Sequence, residues 1–123
     1  MFLIRDILVA EANAILGIPE ANPYGKCVEL FLQSKRDGGK LVVSGVGKAG
    51  DVGRKLATTF CSLGLPSVFL HPLEAQHGDL GLLNAHDVLL LISNSGQTRE
   101  VLELAILARR LIPTLKVVAL TGK

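Results

Sequence analysis

Tryptophan is absent from this 123-residue chain, tyrosine occurs once and phenylalanine four times. So few aromatic rings leave no platform on which bases would stack. The 13 basic residues are nearly balanced by 11 acidic ones and form no run, so no nucleic-acid partner is expected. Long hydrophobic runs are missing too. No uninterrupted apolar stretch exceeds Val88–Ile92, far below the roughly 20 residues that a membrane-spanning helix requires, so no membrane partner is expected. Cysteine is scarce: Cys27 and Cys61 fall in separate helical stretches with no CxxC or metal-like spacing. They read as small buried hydrophobes in a reducing cytoplasm rather than as a disulfide framework. At the N-terminus, Arg5, Asp6 and Glu11 interrupt any apolar signal core, so this segment reads as a helix of the mature protein.

What is present is a folded core. Hydrophobic residues make up 49 % of the chain, too many for disorder, and the length fits one domain over residues 1–123. Within it, residues 1–38 read as N-terminal helices and residues 39–123 as a parallel α/β core. Leu3, Ile4, Ile7, Leu8 and Ile15 have helical spacing over residues 2–16, ended by Gly17 and Pro19. A loop over 20–25, with Asn22, Pro23 and Gly25, precedes a second helix near 26–36 that Asp37-Gly38-Gly39 stops.

The pattern then changes to strands at 41–43, 67–70, 87–92 and 116–120, with helices near 51–63 and 98–111. Residues 71–84 read as irregular. Strands alternating with helices imply parallel pairing with helices on both faces of the sheet. The helix near 98–111 is apolar almost all round (Val101, Leu102, Leu104, Ala105, Ile106, Leu107), so it is expected to be covered on more than one side, by the sheet and by a partner subunit.

Two loops carry chemistry. Ser44-Gly-Val-Gly-Lys-Ala-Gly50 joins the first strand to its helix, and its glycines let successive N–H groups converge on an anion, with Lys48 adding a full charge. Ser93-Asn-Ser-Gly-Gln-Thr98 follows the third strand and opens a helix; its hydroxyls and amides suit phosphate oxygens. A lone Ser95 or Thr98 would be read as an N-cap; the whole cluster beside a second glycine loop reads as an anion site.

Gly45, Gly47 and Gly50 also match G-x-G-x-x-G, but the second strand runs into His71-Pro72 and lacks the acidic residue that would hold a ribose. Asp51 stands where pyrophosphate would need positive potential. No nucleotide or other cofactor is therefore expected. Glu74 and His77 would share one face of a helical turn, as groups for proton handling or hydroxyl recognition; two ligands without a third make no metal site. His86, Arg54, Lys55, Arg109 and Arg110 read as solvated surface. Glu100 fits either a dipole-complementing acid or a catalytic carboxylate facing the crevice.

Taken together, Gly45-Val-Gly-Lys-Ala-Gly50 with Gly53-Arg54-Lys55, His71-Pro72, Glu74-Ala75, His77-Gly-Asp-Leu-Gly81, and Ile92-Ser-Asn-Ser-Gly96 with Glu100 resemble the sugar isomerase (SIS) family. The His-Gly-Asp-Leu-Gly segment resembles its arabinose-5-phosphate isomerase branch. The resemblance implies a three-layer α/β/α sandwich with a parallel, flavodoxin-like sheet, assembled as a homotetramer in the cytoplasm. It implies interconversion of ribulose 5-phosphate and arabinose 5-phosphate, a precursor step for the Kdo sugar of lipopolysaccharide or capsule.

By the same resemblance, Ser93, Asn94, Ser95 and Thr98 would bind the phosphate of a sugar-phosphate ligand. Lys48, His77 and Glu100 match catalytic positions, and Gly45, Gly47 and Glu74 would line the pocket. The family continues past the fourth strand with another glutamate and a His-Pro-Gly-Gly segment, and often with CBS domains. The 123 residues lack that C-terminal part. Gln97 and Arg99 also stand where acidic or small polar residues are common. The expectation is an isomerase or the N-terminal part of one. The alternative is a sugar-phosphate sensor, which would have no need to keep Lys48, His77 and Glu100 together.

Overall fold

The structure is a computed structural model, and it describes residues 1, 3–20 and 23–122. Its four strands are β1 (Leu41–Ser44), β2 (Ser67–Phe69), β3 (Val88–Ser93) and β4 (Lys116–Thr121). They form one parallel sheet in the order β2-β1-β3-β4. The two central strands, β1 and β3, are buried along their whole length, which is why their sequences are continuously apolar rather than alternating. The outer strands β2 and β4 are half-buried or exposed.

The helices are α1 (Ile4–Leu16), α2 (Tyr24–Arg36), α3 (Lys48–Ser62), α4 (Pro72–Gln76) and α5 (Arg99–Leu111), with a 3-10 turn at Asp79–Leu82. Side chains of β1 and β3 alternate between two cores. Leu41, Val43, Val88, Leu90 and Ile92 pack with α3 (Ala57, Phe60) and with Leu30 and Phe31 of α2. Val42, Leu89 and Leu91 pack with Ala75 of α4 and with Val101, Leu104 and Ala108 of α5. Helices therefore cover both faces, and the three-layer α/β/α sandwich with a parallel sheet is observed.

The boundaries differ from the sequence expectation in instructive places. The helix expected near 51–63 begins at Lys48, so Gly50 is a helical residue rather than part of the turn. A Cβ on Gly50 would lie 2.7 Å from the Gly45 carbonyl oxygen, and one on Gly53 would lie 3.1 Å from Phe69. α2 begins at Tyr24, with Pro23 as its N-cap, so Gly25 is helical and not loop; Asn22 lies outside the described residues. The stretch expected to be irregular holds α4 and the 3-10 turn.

The cysteines are also corrected. Both are free thiols as expected, but not buried: Cys27 is half-buried and Cys61 is exposed, its Sγ donating to the Ser67 carbonyl at 3.0 Å. Arg54 is exposed but not merely solvated: its guanidinium carbon lies 4.1 Å above the Phe69 ring. α5 is covered by the sheet through Val101, Leu104 and Ala108, while Leu102 and Ile106 remain exposed. Among the described residues, no helix is long and apolar enough to cross a membrane.

Candidate functional site

Ser44, the last residue of β1, is in register with Leu91 of β3, so the loops leaving these two strands emerge side by side at the C-terminal edge of the sheet. From β1 the chain passes through α3 to β2 on one side, and β3 lies on the other. The strand order reverses between them, which is where open α/β sheets place their ligand crevice. α3 and α5 approach this point from opposite faces of the sheet.

In α3 the first amides to find carbonyl partners are those of Gly50, donating to Val46 (3.4 Å), and Asp51, donating to Gly47 (3.0 Å). In α5 they are those of Val101 and Leu102, both donating to Thr98. The amides of Lys48 and Ala49, and of Arg99 and Glu100, precede them and have no intrahelical acceptor. Two helix N-termini with positive partial charge thus flank the point of strand-order reversal.

The glycines of the first loop divide the work. Gly45 is buried, and a Cβ there would lie 3.0 Å from the carbonyl carbon of Ala49, so it lets α3 close onto the strand. Gly47 is exposed at the N-cap of α3 with φ 61°, and a Cβ there would meet no atom within 4 Å. It supplies the turn and leaves the rim open. Lys48 follows as the first helical residue, exposed beside that rim.

The second loop is braced by its own side chains. Ser93 Oγ and Thr98 Oγ1 are 2.7 Å apart and hydrogen-bonded, and Ser93 Oγ also accepts from the Gly96 amide at 3.1 Å. Ser95 Oγ accepts from the Gln97 amide at 3.0 Å, a local turn. Thr98 occupies the N-cap position of α5, yet its side chain makes no capping bond. Neither hydroxyl therefore behaves as a simple N-cap. Gly96 adopts φ 70°, which folds the loop back above β3. On its far side the loop is held by a contact that sequence reasoning missed: the Gly122 amide donates to the Asn94 carbonyl at 3.0 Å. The only signal in the sequence was a glycine immediately past the strand that neighbours the loop.

The remaining expected residues come from other elements. Glu74 is in α4, and His77 is its C-cap, its amide donating to the Glu74 carbonyl at 3.0 Å. The helical turn that puts them on one face is real, and both are exposed. Glu100 is partly buried in the first turn of α5. No hydrogen bond or ion pair among the described residues links Lys48, Glu74, His77 and Glu100 to one another. Next to Glu100, Arg99 Nε lies 2.8 Å from Glu103 Oε1. This hydrogen-bonded pair holds the Glu103 carboxyl below its usual range and the Arg99 guanidinium above its own. Among the described residues, no cluster of histidine, cysteine and carboxylates has the size to hold a metal ion.

This geometry defines a class: a parallel α/β domain with two helix N-termini and a hydroxyl-lined loop brought together where the strand order reverses. Residues 35–123 match the SIS domain family, and the chain belongs to it. It is 48 % identical over 99 residues to the arabinose 5-phosphate isomerase KdsD of Pseudomonas aeruginosa, covering 80 % of this chain and 29 % of that protein. A crystal structure from Bacteroides fragilis, assigned as a phosphosugar isomerase involved in capsule formation, superposes with a TM-score of 0.95 at 57 % identity. That match covers 98 % of this chain and 63 % of the other. An E. coli CFT073 protein in complex with arabinose 5-phosphate superposes with a TM-score of 0.81 at 31 % identity, covering 99 % and 67 %. The chain spans 29–31 % of the length of the first curated relatives it matches.

Proposed function

We propose that this chain is the sugar-phosphate-binding part of an aldose–ketose isomerase that interconverts arabinose 5-phosphate and ribulose 5-phosphate. The observation that carries the reading is the pairing of β1 with β3, which sets the Gly45–Gly47 turn and the start of α3 beside the Ser93–Thr98 loop at the point where strand order reverses. Ser93, Asn94, Ser95 and Thr98 and the free amides of α5 hold the phosphate dianion. Gly47 and Glu74 line the sugar pocket, and Gly45 contributes by seating α3 beneath it.

Phosphate anchoring positions the open-chain sugar for proton transfer between adjacent carbons. In the aldose-to-ketose direction, Glu100 removes the proton from C2. The electron pair moves into an enediolate whose charge develops on O1. Lys48 stabilises that oxygen. O1 takes up the proton that O2 releases, and the proton taken from C2 returns at C1, leaving the ketone at C2 and a hydroxyl at C1. His77, on the turn after β2, assists ring opening or carries protons between oxygens. The names of the curated relatives and the sugar phosphate bound by the E. coli neighbour support this substrate.

A homotetramer and a cytoplasmic setting belong to the same reading. The exposed apolar residues of α1 and the outer face of α5 (Leu102, Ile106) support the first, and two free thiols support the second. The deciding experiment is Glu100→Gln in the intact protein, following ketose formation from arabinose 5-phosphate. Turnover is expected to fall about a hundredfold or more while substrate affinity stays within about twofold. Unchanged turnover removes Glu100 from the mechanism. Binding of arabinose 5-phosphate with no turnover in the unsubstituted protein selects the sensor reading instead.

A further inference from the structure

The Ser93–Thr98 loop has two supports, and only one lies within it. Inside, the Ser93–Thr98 hydroxyl bond and the Gly96 amide fix its curvature. Outside, β4 runs beside it. The parallel ladder ends at Ser93 opposite Thr121, and the next amide, Gly122, continues into the loop by donating to the Asn94 carbonyl at 3.0 Å. Thr121 also backs the turn: a Cβ on Gly96 would lie 3.6 Å from Thr121 Cγ2.

Gly122 is the residue that makes this approach possible. A Cβ there would overlap Asn94 Oδ1 and would lie 3.2 Å from the Asn94 carbonyl oxygen and 3.3 Å from Asn94 Cγ. The Asn94 side chain therefore occupies the space that any side chain at 122 would need. The three nearest atoms that a Cβ at 122 would meet all belong to Asn94.

We infer that Gly122 is a positioning residue for the phosphate loop: its amide anchors the Asn94 backbone, and its missing side chain leaves the Asn94 amide over the end of β4. The inference rests on the phosphate-loop reading given above and adds the element that sets the loop's height over the sheet. A methyl group at 122 forces the Asn94 side chain to turn away and tilts the carbonyl that Gly122 holds. Ser93, Ser95 and Thr98 then meet the phosphate from a shifted frame.

The test is an equilibrium titration of the intact protein with inorganic phosphate and with arabinose 5-phosphate. Gly122→Ala is expected to weaken both about tenfold, since small displacements of positioning groups have effects of this order. Its thermal midpoint is expected to match that of the unsubstituted protein. The specific signature is coupling: in an Asn94→Ala background, where the obstructing amide is gone, adding Gly122→Ala is expected to weaken phosphate binding by less than about threefold. Equal losses in both backgrounds, or unchanged phosphate binding in Gly122→Ala, overturn the inference. Ser93→Ala separates this failure from a deeper one. If Ser93→Ala weakens phosphate and Gly122→Ala does not, only the role of Gly122 falls. If neither does, the loop is not the phosphate site, and the functional reading falls with it.

Discussion

Asp87 shows how a single side chain ties the edge of the sheet opposite the crevice. It is 1 % exposed. Its Oδ1 accepts from the Lys40 amide at 2.9 Å, while its Oδ2 accepts from the Asn84 amide at 2.9 Å and from Lys40 Nζ at 2.8 Å. The ammonium also donates to the Leu82 carbonyl. One carboxylate thus joins the start of β1, the end of the 3-10 turn and the start of β3. Asp87→Ala strands two backbone donors and a partly buried cation, and is expected to reduce stability by about 3 kcal/mol, measured by urea unfolding. Phosphate affinity at the far edge is expected to persist under conditions where the variant is folded. Nothing in the spacing marks this role, because Lys40 and Asp87 meet only once β1 and β3 are neighbours. The same reason hid the seat of Arg54 on Phe69: that contact joins α3 to β2, and a single sequence does not specify which side chains meet across elements. The Ser93–Thr98 hydroxyl pair, five residues apart in one loop, needs no such long-range pairing, yet in sequence both hydroxyls read only as candidate ligands.

At the scale of elements, legibility followed length and period. β1 and β3 could be read directly as continuous apolar runs, and α1 and α5 from helical spacing. α4 could not. Its five residues are too few to show a period, and Pro72, Glu74 and Gln76 look like loop. What forms it is local chemistry: Pro72 at the first helical position, Pro72 and Ala75 buried, and His71 Nδ1 accepting from the Leu73 amide at 3.1 Å. A histidine in this role is an N-cap by its ring nitrogen rather than by the usual hydroxyl or carboxylate. Because α4 carries Glu74 and ends at His77, the cap also bears on the site. His71→Ala is expected to lose about 1 kcal/mol of stability, and His71→Asn, which keeps a capping oxygen, to recover most of it. Urea unfolding of the two variants is the check; equal losses would mean that the ring matters through its edge contact with Phe69 and not as a cap. The start of α3 is hidden for a related reason. Gly50 resembles a turn residue in sequence, yet it is helical and its bare Cα lets the first turn of the helix sit close to Gly45.

For the molecule as a whole, the telling feature is α1, a 13-residue helix with no buried residue. Ile4, Ile7, Leu8 and Ile15 are all exposed. An isolated helix of this length is marginal in water, and so much bare apolar surface marks a contact face. In the tetramer proposed above, that cover would come from another copy of the protein. Ile7→Asp is expected to shift the sedimenting species to a smaller mass while leaving the circular dichroism of the α/β core in place. An unchanged mass would take α1 out of the assembly. Phosphate affinity supplies a second, independent reading of the same variant. The Ser93–Thr98 loop, the Gly122 support and both helix N-termini come from one chain, so the dissociated form is expected to bind inorganic phosphate as the assembly does. Loss of turnover without loss of phosphate binding in Ile7→Asp would place the phosphate anchor within a single copy and assign the rest of the reaction to groups that assembly brings in.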